Sequence, residues 1–226
     1  MKNFSLKTFV KLYCPWANRY ALKNIEGYLD ELKKWNLRYN LTGIPQDWWI
    51  EKIVVESALL AGVARTKVGN ADGHDRWMDM GTGAGIPGMI LACLLPEQII
   101  YLVDSRQKRT DFLTNVKTRL HLEQAFVVNQ RLENLVLQCP ELEQKISVFF
   151  SRALADIQTL IAYADPFAAN GAVLISPRGE SETKTRYNIE QNESRLWTGF
   201  VHTISLPVST RCMHYAVLTL KDVQNV

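Results

Sequence analysis

The chain has 226 residues, of which 47% are hydrophobic and 22% charged, and its formal net charge is +3. That length buries one sizeable core, and the composition excludes a disordered or disulfide-built chain. Cys14, Cys93, Cys139 and Cys212 are scattered with no histidine at ligand spacing, and no apolar run approaches the ~20 residues of a bilayer span, nor does a basic-then-apolar leader open the chain. The expectation is a cytoplasmic monomer with no metal and no membrane partner.

From Asn18 to Tyr39, Leu22, Ile25, Leu29, Leu32 and Trp35 recur at helical spacing with Lys and Glu on the other face, which predicts an amphipathic helix. A second helical stretch, Asp47 to Ala64, follows the loop from Asn40 to Pro45, with Asp47 placed to cap its start. Gly69, Asn70, Asp72 and Gly73 then supply linker chemistry. Residues 1–66 therefore read as a helical cap and residues 67–226 as the main domain.

Beyond the linker the pattern changes to strand, glycine-rich turn, helix and strand: Arg76–Met80, Gly81–Gly88, Met89–Leu95 and Ile99–Val103. A helix over Arg106–Leu120 follows, then strands at Ala125–Val128 and Ile146–Phe150, a helix over Asp156–Ala169 and a strand at Gly171–Ile175. Such alternation predicts an α/β fold with a mostly parallel, Rossmann-like sheet and helices on both faces. Val201–Leu206 and His214–Leu220 are β-rich with no helix between them, and predict an antiparallel hairpin on the sheet edge.

The sharpest motif is Asp79-Met80-Gly81-Thr82-Gly83-Ala84-Gly85-Ile86-Pro87-Gly88, which leaves a strand and enters a helix. Glycines let the backbone turn tightly and approach a ligand, and the helix start offers free N–H groups. The next strand ends in Asp104, about 20 residues on, where an acid can accept both hydroxyls of a ribose. NAD, FAD and S-adenosylmethionine all contain that ribose. The spacing of Gly81, Gly83 and Gly85 departs from the dinucleotide pattern, and Asp79 beside the loop would repel a pyrophosphate but not a sulfonium or ammonium group.

These residues, with Trp35-Asn36, Tyr39-Asn40-Leu41-Thr42, Asp104-Ser105, Lys108-Arg109, Phe112-Leu113, Arg131-Leu132-Glu133 and Ser151-Arg152-Ala153, make the chain resemble the RsmG (GidB) family, the N7-guanine methyltransferases of bacterial 16S rRNA. The resemblance runs through nearly the whole chain. It implies S-adenosylmethionine as cofactor and 16S rRNA or the 30S subunit as partner. It places Gly81, Gly83, Gly85 and Ile86 under the methionine part, Asp104 on the ribose and Leu132 with Glu133 beside the adenine. Arg152 stands where cofactor and substrate meet, as the catalytic residue, and Asn40, Arg131 and Arg178 fall to the substrate side.

Departures concentrate on the substrate half. The family's usual Arg-His-x-x-Asp-Ser is here Lys52-Ile53-Val54-Val55-Glu56-Ser57, its Lys-Gly is Arg178-Gly179, and its hairpin arginine falls near Met213 with Arg211 two residues earlier. Two other readings stay open: a methyltransferase of this fold acting on a small molecule, and a non-catalytic RNA- or assembly-binding relative. Guanine N7 offers an in-plane lone pair that needs no deprotonation, and His74, His121, His202 and His214 are expected at surface or edge positions. Lys33, Lys34 and Arg38, and Arg106, Lys108 and Arg109, form two local basic patches that could meet RNA, with a solvated helix face the commoner use of each. Trp48 and Trp49 are candidates for base stacking, with packing the commoner use.

Overall fold

The computed structural model describes residues 5–68, 75–192, 195–207 and 209–222. Two helices open the chain, α1 (Leu6–Tyr13) and α2 (Ala21–Tyr39). Ala21, Ile25, Tyr28 and Leu32 are the buried stripe of α2, spaced as a helix facing a core requires, and Asn40 ends it in the left-handed conformation. The stretch expected to be one helix from Asp47 is three pieces: a 3-10 turn at Gln46–Trp48, a π-helical segment at Ile50–Val55 and α3 (Glu56–Val68). Asp47 is inside the first turn and makes no capping bond; Pro45 precedes it. The boundary between residues 66 and 67 falls within α3, and Gly69, Asn70, Asp72, Gly73 and His74 lie outside the described residues.

The remainder runs β1 (Arg76–Met80), α4 (Gly88–Leu94), β2 (Ile99–Asp104), α5 (Gln107–Leu120), β3 (Ala125–Asn129), α6 (Leu132–Gln138), β4 (Ile146–Phe150), α7 (Ile157–Ala164) and β5 (Ala168–Arg178). It closes with β6 (Arg186–Asn192), β7 (Arg195–Ser205) and β8 (Cys212–Asp222). The eight strands form one sheet in the order β3-β2-β1-β4-β5-β8-β7-β6. Strands β1 to β5 pair in parallel and β8, β7 and β6 antiparallel. The hairpin of β7 and β8 joins at β5 as expected, but a third strand, β6, forms the edge.

Side chains of a strand alternate between faces, and both faces here are covered. Trp77, Ile100, Leu102, Val148 and Phe150 pack with α1–α5, whereas Met78, Met80, Val103 and Phe149 pack with α6 and α7. The N-terminal helices thus share a core with the sheet. Tyr28, Trp35 and Phe112 meet across α2 and α5 with ring centroids 5.7–6.1 Å apart.

Candidate active site

Strand order reverses between β1 and β4, and ligands of open α/β sheets bind outside the carboxyl ends of the strands at such a switch point. A cavity of about 490 Å³ lies there. Its floor is the glycine loop between β1 and α4. Gly81, Gly83 and Gly85 have φ of +69°, +60° and +86°, values that side-chain-bearing residues rarely adopt. Asp79 holds the loop from beneath: one carboxylate oxygen accepts from the Thr82 hydroxyl (2.7 Å) and the Gly88 N–H (2.8 Å). Burial pushes its carboxyl up to about 6. Asp79 is fully buried and does not line the cavity, so it anchors the loop rather than facing a ligand's charge. From the opposite side the buried Tyr28 hydroxyl donates to the Ala84 carbonyl at 2.8 Å, tying α2 to the same loop.

Asp104 ends β2 on the cavity wall and is 5% exposed. Its Oδ1 accepts the Arg106 N–H (2.9 Å), and its Oδ2 accepts the Gly83 N–H (2.9 Å) and Arg109 Nη1 (3.1 Å). A carboxylate oxygen accepts about two hydrogen bonds, so Oδ1 keeps one free site and Oδ2 gains one when Arg109 turns away. Arg109 is partly exposed and has room to do so.

A further wall comes from the start of α6. Leu132 presents an apolar face, and Glu133 receives the Tyr163 hydroxyl at 2.8 Å. The helix-start backbone N–H, and then this hydroxyl, hold the Glu133 carboxyl below its usual value. Leu41–Ile44 form another wall, fixed by Thr42 N–H to Asn36 Oδ1 (2.8 Å), Ile44 N–H to Thr42 Oγ1 (3.2 Å) and Trp49 Nε1–H to the Ile44 carbonyl (2.8 Å). Arg152, just after β4, lines the cavity, with Nη1 on the Lys52 carbonyl (2.6 Å) and Nη2 on Glu56 (3.1 Å).

Of the expected residues, Gly81, Gly83, Ile86, Asp104, Arg131, Leu132, Glu133 and Arg152 line this cavity together. Gly85, Asn40 and Arg178 do not. A Cβ on Gly85 would come within 2.6 Å of Met89 and 2.8 Å of Leu113, so its lack of a side chain serves close packing under the loop. Asn40 is the left-handed cap of α2, beside the 41–44 wall. Arg178, at the end of β5, donates to Ser176, whose hydroxyl donates to the Ser151 carbonyl, while Ser151 donates to that of Met80. This chain of bonds joins Arg178 to the ligand edge without bringing it into the cavity.

Sequence reasoning missed Tyr28, Glu56 and Tyr163, whose partners lie far along the chain; only the four-residue spacing of Lys52 and Glu56 carried a local signal. Trp49 packs and holds the wall loop, and Trp48 lies under the Arg211 guanidinium at 3.9 Å from its ring centroid. None of the described histidines lines the cavity. Among the described residues no group of His, Cys, Asp and Glu is arranged to hold a metal, and no helix is long and apolar enough to cross a membrane.

Sheet order, switch-point cavity, glycine loop and strand-end acid together define a Rossmann-like fold of the methyltransferase class. An O-methyltransferase of Bacillus cereus, solved in complex with SAH, aligns with a TM-score of 0.56 at 13% identity, over 86% of this chain and 90% of that one. A methyltransferase of Geobacter sulfurreducens gives 0.54 at 10% identity, over 86% and 89%. These likenesses concern the fold.

The family model for rRNA small subunit methyltransferase G (GidB) matches residues 21–210, and the chain belongs to that family. A protein of Desulfitobacterium hafniense named ribosomal RNA small subunit methyltransferase G is 37% identical over 153 residues, which is 67% of this chain and 60% of that protein. One of the same name from Vibrio vulnificus is 30% identical over 91% of each chain. The matched stretch therefore spans about three fifths of the first relative's length and nearly all of the second's.

Proposed function

We propose that this protein transfers a methyl group from S-adenosylmethionine to N7 of a guanine in 16S rRNA of the small ribosomal subunit. The observation that carries the reading is the cavity at the switch point, where a carboxylate suited to a ribose, an apolar wall suited to adenine and a guanidinium converge in a member of this family. The residues fit the cofactor. Asp104 has acceptor capacity for ribose hydroxyls, Leu132 gives the adenine an apolar face, and Glu133 is an acceptor for its amine. The glycine loop leaves its surface open: a Cβ on Gly83 would meet no atom closer than 3.7 Å.

The bound cofactor supplies an electrophilic methyl carbon. The chain's part is to bring N7 into line with it and to exclude water, which in well-oriented systems lowers the barrier by about 7–11 kcal/mol. N7 requires no general base, and none of the described histidines lines the cavity. Arg152 is assigned to the junction of cofactor and base, and Arg131, exposed at the start of α6, to the RNA backbone. Asn40, next to the wall formed by residues 41–44, and Arg178, at the end of β5, are assigned to secondary substrate contacts.

Purified protein incubated with methyl-labelled S-adenosylmethionine and 30S subunits from cells lacking the modification should label 16S rRNA. Label in a small molecule of a cell extract and none in 30S subunits would favour the small-molecule alternative.

A further inference from the structure

Arg152 poses a physical problem that its surroundings answer. A guanidinium on the lining of a site that accepts a sulfonium places two cations beside one small cavity, where their repulsion is poorly screened. Yet Arg152 is not alone. Glu56, 5% exposed at the start of α3, takes Arg152 Nη2 on Oε2 (3.1 Å) and Lys52 Nζ on Oε1 (2.6 Å). The Lys52 carbonyl, within the π-helical segment, takes Arg152 Nη1 at 2.6 Å. Glu56 thus bridges two cations with both of its oxygens, and α3 and the turn before it hold the guanidinium by two of its nitrogens.

Glu56 lies behind the cavity rather than on it, so it touches neither cofactor nor base. It has two consequences for Arg152. The two-point grip fixes the direction of the guanidinium plane, leaving the remaining N–H donors for a ligand. The carboxylate also halves the local positive charge: Arg152 and Lys52 without it sum to two charges, and with it to one.

We propose that Glu56 is a positioning residue of the methyl-transfer site, and that its buried charge makes Arg152 compatible with a cationic cofactor. The inference rests on the reading of the cavity as an S-adenosylmethionine site. It distinguishes two ligands that differ in one charge: S-adenosylmethionine carries a sulfonium, whereas S-adenosylhomocysteine has a neutral thioether at the same place. A purely structural loss at Glu56 weakens both equally. Loss of its charge weakens the sulfonium form selectively.

Calorimetric titration of both ligands into the full-length wild type and Glu56→Gln gives the ratio of their dissociation constants. A unit charge acting at somewhat under ~10 Å through an effective dielectric near ~20 corresponds to a shift on the order of tenfold against S-adenosylmethionine in the variant. Glu56→Asp, which keeps the charge, should hold the wild-type ratio. Lys52→Met, at a partly exposed position, removes a cation and should move the ratio the other way. It provides the test if Glu56→Gln does not fold. Equal weakening of both ligands in Glu56→Gln, or an unchanged ratio in Lys52→Met where only that variant folds, overturns the proposal. If the wild type binds neither ligand, the cofactor reading itself fails, which is a separate result.

Discussion

Replacing Asp104 by alanine removes three hydrogen bonds at once: from the Gly83 N–H, the Arg106 N–H and Arg109 Nη1. The first fixes the glycine loop, the second closes the turn that leads into α5, and the third fixes Arg109. If the carboxylate also receives a ribose hydroxyl on its free Oδ1 site, and a second on Oδ2 after Arg109 turns away, the ligand loses two charge-assisted bonds. At about 1.5–3 kcal/mol each, net of exchange with water, affinity for S-adenosylhomocysteine should fall by about 3–6 kcal/mol, about a hundredfold or more. Calorimetry measures that loss, and a urea titration of the same variant measures how much of it is loop damage. A change in dissociation constant below about threefold, in a folded variant, would show that Asp104 serves only the glycine loop and the turn before α5.

Tyr28→Phe deletes one buried bond and leaves the Ala84 carbonyl unpaired; stability should fall by about 1–3 kcal/mol in urea unfolding, with weaker cofactor binding. No change in either would mean that α2 does not hold the loop. Asp79, raised from 3.8 to about 6 by burial, binds its proton more tightly folded than unfolded, so its contribution to stability falls as pH rises through that interval and stays low above it. Relative to Asp79→Asn, the wild type should lose about 2 kcal/mol between about pH 4.5 and 7.5, and parallel pH curves would refute the assignment. With no base to deprotonate, the single-turnover rate should vary less than about twofold from about pH 6.5 to 8, whereas a steep rise would point to an amine, hydroxyl or thiol acceptor. Arg178→Ala should flatten the salt dependence of 30S binding by about one counterion while sparing cofactor affinity; an unchanged slope would reduce Arg178 to its bond with Ser176.

The strands β1 to β5 were legible because buried parallel strands are short apolar runs bounded by turn residues. The glycine loop was legible because its chemistry is local. What escaped was carried by few buried side chains. Helix α6 buries only Leu132 and Leu135, and β6, with the sequence Arg-Tyr-Asn-Ile-Glu-Gln-Asn, is a polar edge strand with no apolar alternation to announce it. The break of the residue 47–64 stretch into 3-10, π and α pieces is invisible to periodicity, since the first two are three and six residues long, too short for their different periods to show.

The candidate site divides in the same way. Asp104 and the loop lie one strand apart, so spacing alone brings them together. Glu56 with Arg152, Tyr163 with Glu133, and Tyr28 with Ala84 are separated by tens of residues and meet only through the fold. Asp79 shows the opposite error: its charge was read as facing the ligand, but the first turn of α4 folds its N–H back onto that carboxylate and buries it.

The central claim is most directly tested by mapping modified nucleosides in 16S rRNA from cells with and without the gene. Mass spectrometry of nuclease fragments should show one N7-methylguanosine that is present with the wild type, absent on deletion, restored by the wild-type gene and not restored by Asp104→Ala. An N7-methylguanosine content of 16S rRNA that is identical in all four strains would contradict it.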